Sequence, residues 1–393
     1  MSLTKVVAFC LGDIPSARIG IVEPMLELER SGSIQFGFYL AAELTREILA
    51  DADIVICIRS ADSYELDIVE ECKEAGKLLI YYLDDDLLNI PQYASSTDYF
   101  NSDLIRNNII SIISNCNYLL TNNERLKEKY GLYTSNGVYM IKAPALLLSE
   151  INPELNLEPD PNEVVKLGFS GGTDHKRNLE QMLDVPLKVL KEKYKNKIEF
   201  EFMGASPNFS SGIEYKYIPY QSNYMDYIEQ MKQVRWDIGL APLPESDFHA
   251  SKYFNKYLEY GSIGAAGVYS NVDPYKQVVV NENNGVLVDN THEHWIKALS
   301  NLIEDSLLRK RIQTNARTHL ENEFTIAQIA SDIKIKLPEL MNYSAPDCNP
   351  TKLKLRLGNK EVMLSKINNI IKAMGIKAPI YILKKVIRKL VKK

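Results

Sequence analysis

Short apolar runs alternate with helical patterns through the first half of the chain. The runs are rich in β-branched and aromatic residues, as buried strands are, and they cover residues 6–12, 54–59, 78–85 and 118–123. The helical patterns cover residues 37–50, 62–75, 101–116 and 123–130. Strands separated by helices of this length form parallel sheets that are covered on both faces. The pattern therefore predicts a doubly wound α/β domain over residues 1–155.

The same alternation restarts after residues 150–163, which contain three prolines and several acids and indicate a linker. Predicted strands follow at residues 165–172, 198–204, 215–220 and 285–289, and predicted helices at 178–193, 223–233, 292–304 and 306–322. We therefore expect a second Rossmann-like domain over residues 160–340. A chain of 393 residues is long enough for both domains.

One segment of this second domain, residues 236–274, predicts a strand at Asp237–Leu243, a helix at about Ser251–Tyr260 and a strand at Ala266–Ser270. On one helix, Lys252, Lys256 and Glu259 would share a face, because they are spaced at i, i+4 and i+7. A solvated charged stripe is one interpretation. The other is a ligand site, with two ammonium groups on a diphosphate and a carboxylate that accepts hydrogen bonds from ribose hydroxyls.

A glycine-rich loop follows the first strand of the same domain and precedes a helix. Gly171 and Gly172 would let a ligand approach the backbone, and the helix start offers free N–H groups to an anion. His175, Lys176 and Arg177 add polar and cationic side chains, and the two cations are suited to phosphate. The alternative is a plain turn capped by Thr173 or Asp174.

The first domain offers a different set of candidates. Arg18, in the loop after the first strand, is a candidate phosphate or acceptor contact, and a surface arginine is the alternative. Asp84, Asp85 and Asp86 end the third apolar run. Three adjacent carboxylates raise each other's pKa, so Asp84 or Asp85 could act as a general base toward an acceptor hydroxyl. Helix capping and binding of a divalent metal are the alternatives.

The runs DIGLAPL (237–243) and KYLEYG (256–261), with a short strand behind them, resemble the donor-binding segment of retaining nucleotide-sugar glycosyltransferases with the GT-B fold, of the type that builds bacterial surface polysaccharides. In that family two glutamates eight positions apart mark the site, and the second grips the nucleotide ribose. Glu259 matches the second position, and Ser251 stands at the first. Lys252 and the loop DFHAS (247–251) are then candidates for the contacts to the donor sugar.

The resemblance implies two Rossmann-like domains that face a cleft and transfer of a sugar, with retention at the anomeric carbon, to a glycan or glycolipid acceptor. It also implies that the nucleotide-sugar is the substrate and that no cofactor or metal is required. Two alternatives remain: a catalytically inactive, glycosyltransferase-like partner, because Ser251 replaces a glutamate, and a metal-dependent transferase that uses Asp84–Asp86.

The composition of the sequence indicates the cellular compartment. The sequence has no apolar run near the length of a membrane span and no leader pattern. Five cysteines stand without a CxxC pair or a Cys-His cluster, which argues against a zinc site or a disulfide framework and suits a reducing compartment. We therefore expect a cytoplasmic protein.

The C-terminal residues differ in charge from the rest. Residues 351–393 have a net charge of +12 and the other 350 residues −17, so a nucleic-acid partner is not expected. Two apolar stripes of helical spacing run through this tail, with lysines and an arginine on the opposite face of the second: Met363, Ile367, Ile370, Ile371 and Met374, then Leu383, Val386, Ile387, Leu390 and Val391. Each basic residue near an anionic leaflet contributes about 1 kcal/mol. Residues 360–393 are thus predicted to lie at the inner face of the cell membrane, with a partner-binding helix or a disordered end as alternatives.

Overall fold

The computed structural model describes residues 3–94, 96–134, 137–148, 164–221 and 223–379. The chain divides into two compact units, one made of Met1–Ala143 with Ile329–Lys393 and the other of Pro144–Gln328. Each unit is built on one six-stranded sheet in which all strands are parallel. The α/β fold class predicted from the alternating pattern is confirmed.

The first unit has the strand order β2-β1-β3-β4-β5-β6. Its strands are β1 Lys5–Cys10, β2 Gln35–Leu40, β3 Ile54–Ile58, β4 Leu78–Leu83, β5 Tyr118–Thr121 and β6 Gly137–Met140. Its helices before the second unit are α1 Pro15–Ala17, α2 Glu23–Arg30, α3 Arg46–Asp51, α4 Ser63–Glu74, α5 Thr97–Phe100, α6 Asp103–Asn115 and α7 Glu124–Tyr130. The central strands β3 and β4 are buried along their whole length, as expected for parallel strands covered by helices on both faces.

The second unit has the strand order β12-β11-β10-β7-β8-β9. Its strands are β7 Val165–Gly171, β8 Ile198–Gly204, β9 Lys216–Ile218, β10 Ile238–Ala241, β11 Ala266–Ser270 and β12 Val286–Val288. Its helices are α8 Lys176–Tyr194, α9 Tyr224–Gln233, α10 Asp247–Ala250, α11 Asn255–Ile263, α12 His292–Glu304 and α13 Ser306–Glu323, and α14 Ile326–Lys336 begins at its end. Leu167, Phe202 and Leu240 lie in its core with Trp295 of α12.

Two edge strands depart from the predicted elements. The helix predicted at 37–50 is wrong in its first part, because Gln35–Leu40 forms β2 and the helix α3 begins only at Arg46. The strand β6, Gly137–Met140, was not predicted. Both lie at the ends of the sheet order and are only partly buried. An edge strand needs no continuous apolar run, so its pattern is weak.

The chain returns to the first unit earlier than the predicted boundary at residue 340. Ile329 and Ile333 of α14 and Leu337 and Leu340 beyond it are buried in the core of the first sheet. The Tyr118 hydroxyl donates a hydrogen bond to Glu339, at 2.7 Å, in the short helix α15 Glu339–Asn342. Apolar periodicity predicts that a helix has a buried face, but not which core that face joins.

The described part of the basic tail packs against the first unit. Its helix α16, Asn359–Met374, lies against α4 and α6, and the Ser63 hydroxyl donates to Asn369 Oδ1 at 2.9 Å. Leu353 and Leu355, ahead of α16, are buried, and the Arg46 guanidinium donates to the Leu355 carbonyl at 2.6 and 3.0 Å. The second predicted stripe, Leu383–Val391, lies outside the described residues.

A groove of about 570 Å³ is lined by residues of both α4 and α16. It is lined by Lys354, Arg356 and Lys372 of the tail and by α4 carboxylates, including those of Glu70 and Glu74. Part of the positive charge of the tail therefore faces acids of the same unit. Within the described ranges, no helix is both long and apolar enough to cross a membrane.

Candidate functional site

The helix predicted at Ser251–Tyr260 is wrong at its start. The chain forms one turn of helix, α10, and the longer helix α11 begins only at Asn255. The Ser251 hydroxyl donates to the Asp247 carbonyl at 2.8 Å, so it satisfies its own turn. Lys252 lies between the two helices, with its Nζ 4.5 Å from the centroid of the Phe248 ring. Lys252 therefore does not share one helical face with Lys256 and Glu259.

Lys256 and Glu259 do lie together, at the carboxyl end of β7. Lys256 Nζ donates to Glu259 Oε2 at 2.6 Å, and the Ser170 hydroxyl of β7 donates to the same oxygen at 2.9 Å. Ser170 is fully buried, and the side chains of Lys256 and Glu259 are only 13% and 22% exposed. The pair is thus built into the end of the sheet and is not a solvated stripe.

Tyr227 of α9 lies within electrostatic reach of the Glu259 carboxylate. Burial, together with the Glu259 carboxylate, holds the pKa of Tyr227 well above its usual range, while a hydrogen bond with Ser170 acts in the opposite direction. The phenol is therefore protonated at neutral pH and available as a donor. Neither Ser170 nor Tyr227 was predicted from the sequence, because a serine in a strand and a tyrosine in an amphipathic helix carry no motif.

The glycine-rich loop packs against the same strand end. A Cβ atom on Gly171 would lie 2.7 Å from the Phe169 ring and 3.1 Å from the His175 ring. Gly204, at the end of β8, has φ +80°, and a Cβ there would lie 2.4 Å from the Gly171 carbonyl oxygen. A Cβ on Gly172 would meet open space. Gly171 is thus required by close packing, and Gly172 leaves room beside the backbone.

The remaining loop residues lie at the start of α8. The His175 ring packs on Phe169, with centroids 5.5 Å apart, and Lys256 Nζ is 5.8 Å from the same Phe169 ring. Phe169 thereby connects the loop to α11. Lys176 and Arg177 are the first two residues of α8, and Lys176 Nζ is 3.7 Å from Glu180. Four predicted residues are therefore brought to one strand end, with the two cations on the adjoining helix turn: Gly171, His175, Lys256 and Glu259.

In the first unit, Asp84 and Asp85 are held by an arginine that was not predicted. Arg59 follows β3 with φ +51°, which is uncommon for a residue with a side chain. Its guanidinium lies 3.3 Å from Asp84 Oδ1 and 2.8 Å from Asp85 Oδ2. The repulsion expected among the three carboxylates is therefore offset by a cation. The sequence gives no signal for Arg59 beyond its place at a strand end.

Asp86 forms an ion pair with a different cation, Lys129. Lys129 Nζ donates to both of its oxygens at 2.7 Å, and the Tyr130 hydroxyl donates at 2.7 Å. Asp86 makes no side-chain capping bond to the short turn that follows it. In the part of the chain that the structure describes, no three acidic, histidine or cysteine side chains form a group that could hold a metal ion.

Arg18 is also paired within the first unit. Its Nε and Nη2 donate to the two oxygens of Asp13 at 2.8 and 3.1 Å. Its guanidinium lies 4.8 Å from the centroid of the Phe38 ring. A phosphate contact from Arg18 would therefore compete with a bidentate carboxylate.

No protein-family model and no curated protein matches the sequence. Among solved structures, Anabaena Alr3699/HepE in complex with UDP and glucose has a TM-score of 0.60 at 11% identity, over 86% of this chain and 100% of that chain. Sucrose-phosphate synthase from Thermosynechococcus elongatus has a TM-score of 0.59 at 10% identity, over 86% and 99%. The chain has the GT-B fold.

A glycosyltransferase from Rickettsia africae gives a similar result, with a TM-score of 0.56 at 15% identity over 88% of this chain and 100% of that chain. At these identities the likeness is one of fold. The GT-B fold expected from the runs at 237–243 and 256–261 is confirmed, whereas the roles of individual residues stay predictions.

Proposed function

We propose that this protein is a glycosyltransferase that moves a sugar from a nucleotide-sugar donor to a glycan or glycolipid acceptor. The observation that carries the proposal is the position of Glu259, a carboxylate fixed at the carboxyl end of a parallel strand beside a glycine-rich loop. Ligands of open α/β sheets bind beyond the carboxyl ends of their strands. The similar Anabaena protein was solved with UDP-glucose, which supports the choice of donor class.

On this proposal the second unit binds the nucleotide. Glu259 accepts hydrogen bonds from the ribose hydroxyls. The N–H groups at the start of α8, with Lys176, Arg177 and Lys252, hold the diphosphate, because a helix N-terminus and nearby cations favour an anion. The same groups stabilise the charge that develops on the diphosphate as the glycosidic bond to the donor breaks.

The contacts to the donor sugar are the part of the site that Ser251 leaves open. The Ser251 hydroxyl is bound to the Asp247 carbonyl, so the neighbouring residues are better placed for this role. Nδ1 of His249 in α10 shares a hydrogen bond with the Ser246 hydroxyl at 2.7 Å, which fixes the orientation of the imidazole ring. We propose that His249 supplies a sugar-side contact, next to the diphosphate contact of Lys252, and that transfer proceeds with retention.

In the first unit we propose that Asp84 and Asp85 contact the acceptor hydroxyl, with Arg59 holding both carboxylates in place. A carboxylate within hydrogen-bond reach of a hydroxyl can accept its proton during transfer. No metal is required on this proposal, so turnover measured with EDTA should equal turnover without it. A loss of turnover in EDTA would favour the metal-dependent alternative.

The membrane contact is proposed for the surface of the tail that the first unit leaves uncovered. Within the described part of α16 and the turn after it, Met363, Leu364, Ile371 and Ile376 are exposed, Ile376 by 98%. The basic residues from Lys384 to Lys393 would add charge for an anionic leaflet. On this proposal the protein acts at the cytoplasmic face of a membrane, where a lipid-linked glycan acceptor would be available.

The donor site is tested by titration calorimetry with UDP-, GDP- and ADP-sugars on the wild type and on Glu259→Gln. We expect the wild type to bind one donor, and the variant to bind it roughly 10- to 100-fold more weakly, because hydrogen bonds to a charged group contribute about 1.5–3 kcal/mol. Glu199→Gln, an exposed residue at the start of β8, is the control and should bind as the wild type does. Binding of no donor by the wild type would contradict the proposal and favour the inactive partner.

A further inference from the structure

We infer that Lys256 is a positioning residue for Glu259 and not a ligand of the diphosphate, and that Ser170 serves the same purpose. The inference rests on the proposed function, since it concerns the carboxylate that would hold the ribose. The charge pattern of α11 had predicted a phosphate contact for Lys256. The two positioning residues come from two elements, β7 and α11.

The Lys256 ammonium is enclosed by its neighbours. It lies 2.6 Å from Glu259 Oε2, its side chain is 13% exposed, and one side of it faces the Phe169 ring at 5.8 Å. An ammonium that turned toward a phosphate would leave the Glu259 carboxylate without its cation in a partly buried place. Breaking such a pair is unfavourable, because the remaining charge keeps its desolvation cost.

Two hydrogen bonds converge on one oxygen of the Glu259 carboxylate. Lys256 and Ser170 both donate to Oε2, and Ser170 cannot move with the ligand because it is a fully buried strand residue. Fixing one carboxylate oxygen from two directions also fixes the other oxygen, Oε1, since the carboxylate is planar. Oε1 is then the oxygen that a ribose hydroxyl would approach. A binding group held by several supporting contacts keeps its geometry before the ligand arrives.

Lys252 gives the contrast that makes the inference testable. It lies outside α11, and its ammonium is 4.5 Å from the centroid of the Phe248 ring. The proposed function keeps a role toward the diphosphate for Lys252, and a role toward the ribose carboxylate falls to Lys256. The two lysines are four positions apart in sequence, and their substitutions should have different effects on the binding of a ligand that lacks the phosphates.

The test first identifies which of UDP, GDP and ADP binds the wild type best. Binding of that diphosphate is then compared with binding of its nucleoside (uridine, guanosine or adenosine) by titration calorimetry. We expect Lys256→Met to weaken binding of the diphosphate and of the nucleoside by the same factor, on the order of tenfold, because hydrogen bonds to a charged group are affected in both cases. Lys252→Met should weaken binding of the diphosphate and leave binding of the nucleoside unchanged. If Lys256→Met weakens binding of the diphosphate alone, the inference is overturned.

A second readout isolates the ribose. The 2′,3′-dideoxy nucleoside diphosphate should bind the wild type about tenfold more weakly than the parent compound, and this ratio of affinities should shrink toward one in Lys256→Met and Ser170→Ala. Lys256→Arg should recover most of the ratio. Thermal unfolding shows whether each variant is folded, and a ratio that stays at the wild-type value in folded Lys256→Met would contradict the positioning role. If the wild type binds none of the three diphosphates, the proposed function itself fails and the inference with it.

Discussion

Single side chains in this protein are most informative where a charge is buried beside another charge. Glu65 of α4 is 1% exposed, and its Oε2 accepts hydrogen bonds from the backbone N–H groups of Ala61 and Asp62 at 2.8 and 3.0 Å. Burial and the neighbouring Asp62 carboxylate raise the pKa of Glu65 to about 7. The folded state therefore binds a proton more tightly at this position than the unfolded state does.

The sign of the pH effect follows from that difference. Between the ordinary value of 4.5 and about 7, the unfolded chain releases the proton while the folded protein keeps it, so stability falls as the pH rises through this window. We expect Glu65→Gln, which keeps the size and an accepting oxygen, to be more stable than the wild type at pH 7.5 by roughly 1–3 kcal/mol. The free energy of unfolding in urea, measured at pH 5 and pH 7.5, tests this. The advantage should shrink at pH 5, and an equal advantage at both values would contradict it.

The sequence predicted proximity only where it follows from spacing along one helix. Lys256 and Glu259 were predicted to share a helical face, and in the structure they contact each other. Ser170, Tyr227 and Arg59 were not found, since their roles come from contacts between elements that are distant in sequence: Ser170 and Glu259 are 89 positions apart. Spacing along one helix cannot report such contacts.

At the scale of elements, continuous apolar runs predicted the central strands, and the failures have physical causes. The edge strands β2 and β6 are half-buried and lack such runs. The helix at 251–260 is interrupted although it contains neither proline nor glycine in that stretch. There Tyr253 and Phe254 are buried and stacked, with ring centroids 4.0 Å apart. Burial of two aromatic rings outweighs the small cost of ending a helical turn, so tertiary packing overrides local propensity.

The contact between the ends of β7 and β8 yields an element-scale prediction. Gly204→Ala would place a Cβ 2.4 Å from the Gly171 carbonyl oxygen, at a residue with φ +80°. Because neither strand end can move freely, we expect the free energy of unfolding to fall by about 2 kcal/mol or more. Gly172→Ala, whose Cβ meets open space at an ordinary negative φ, is the matched control and should stay within about 0.5 kcal/mol of the wild type. Urea unfolding of both variants decides, and equal stabilities would contradict the close-contact argument.

At the scale of the whole molecule, the described part of the basic tail belongs to the first unit and is not a separate charged appendage. The segment before α16 and α16 itself are part of the first unit, where Leu353, Leu355 and Ile370 are buried. Lys354, Arg356 and Lys372 of this segment line one wall of the groove, and α4 carboxylates line the other wall. A truncation at residue 350 would therefore uncover apolar surface of the first unit as well as remove basic charge. The better boundary for testing the membrane proposal is residue 379, because this truncation keeps α16 and its buried Ile370.

Residues 380–393 contain seven apolar positions and six basic ones without an acid. If these residues carry the membrane contact, residues 1–379 should lose most of their flotation with liposomes that contain anionic lipid, because six cations near the surface contribute on the order of 6 kcal/mol. The full chain should float with these liposomes, less so at high salt, and poorly with neutral ones. A full-length variant with Lys384, Lys385, Arg388 and Lys389 changed to Gln keeps the apolar stripe and separates charge from insertion. Equal flotation of the full chain and residues 1–379 would show instead that the exposed residues of α16 suffice.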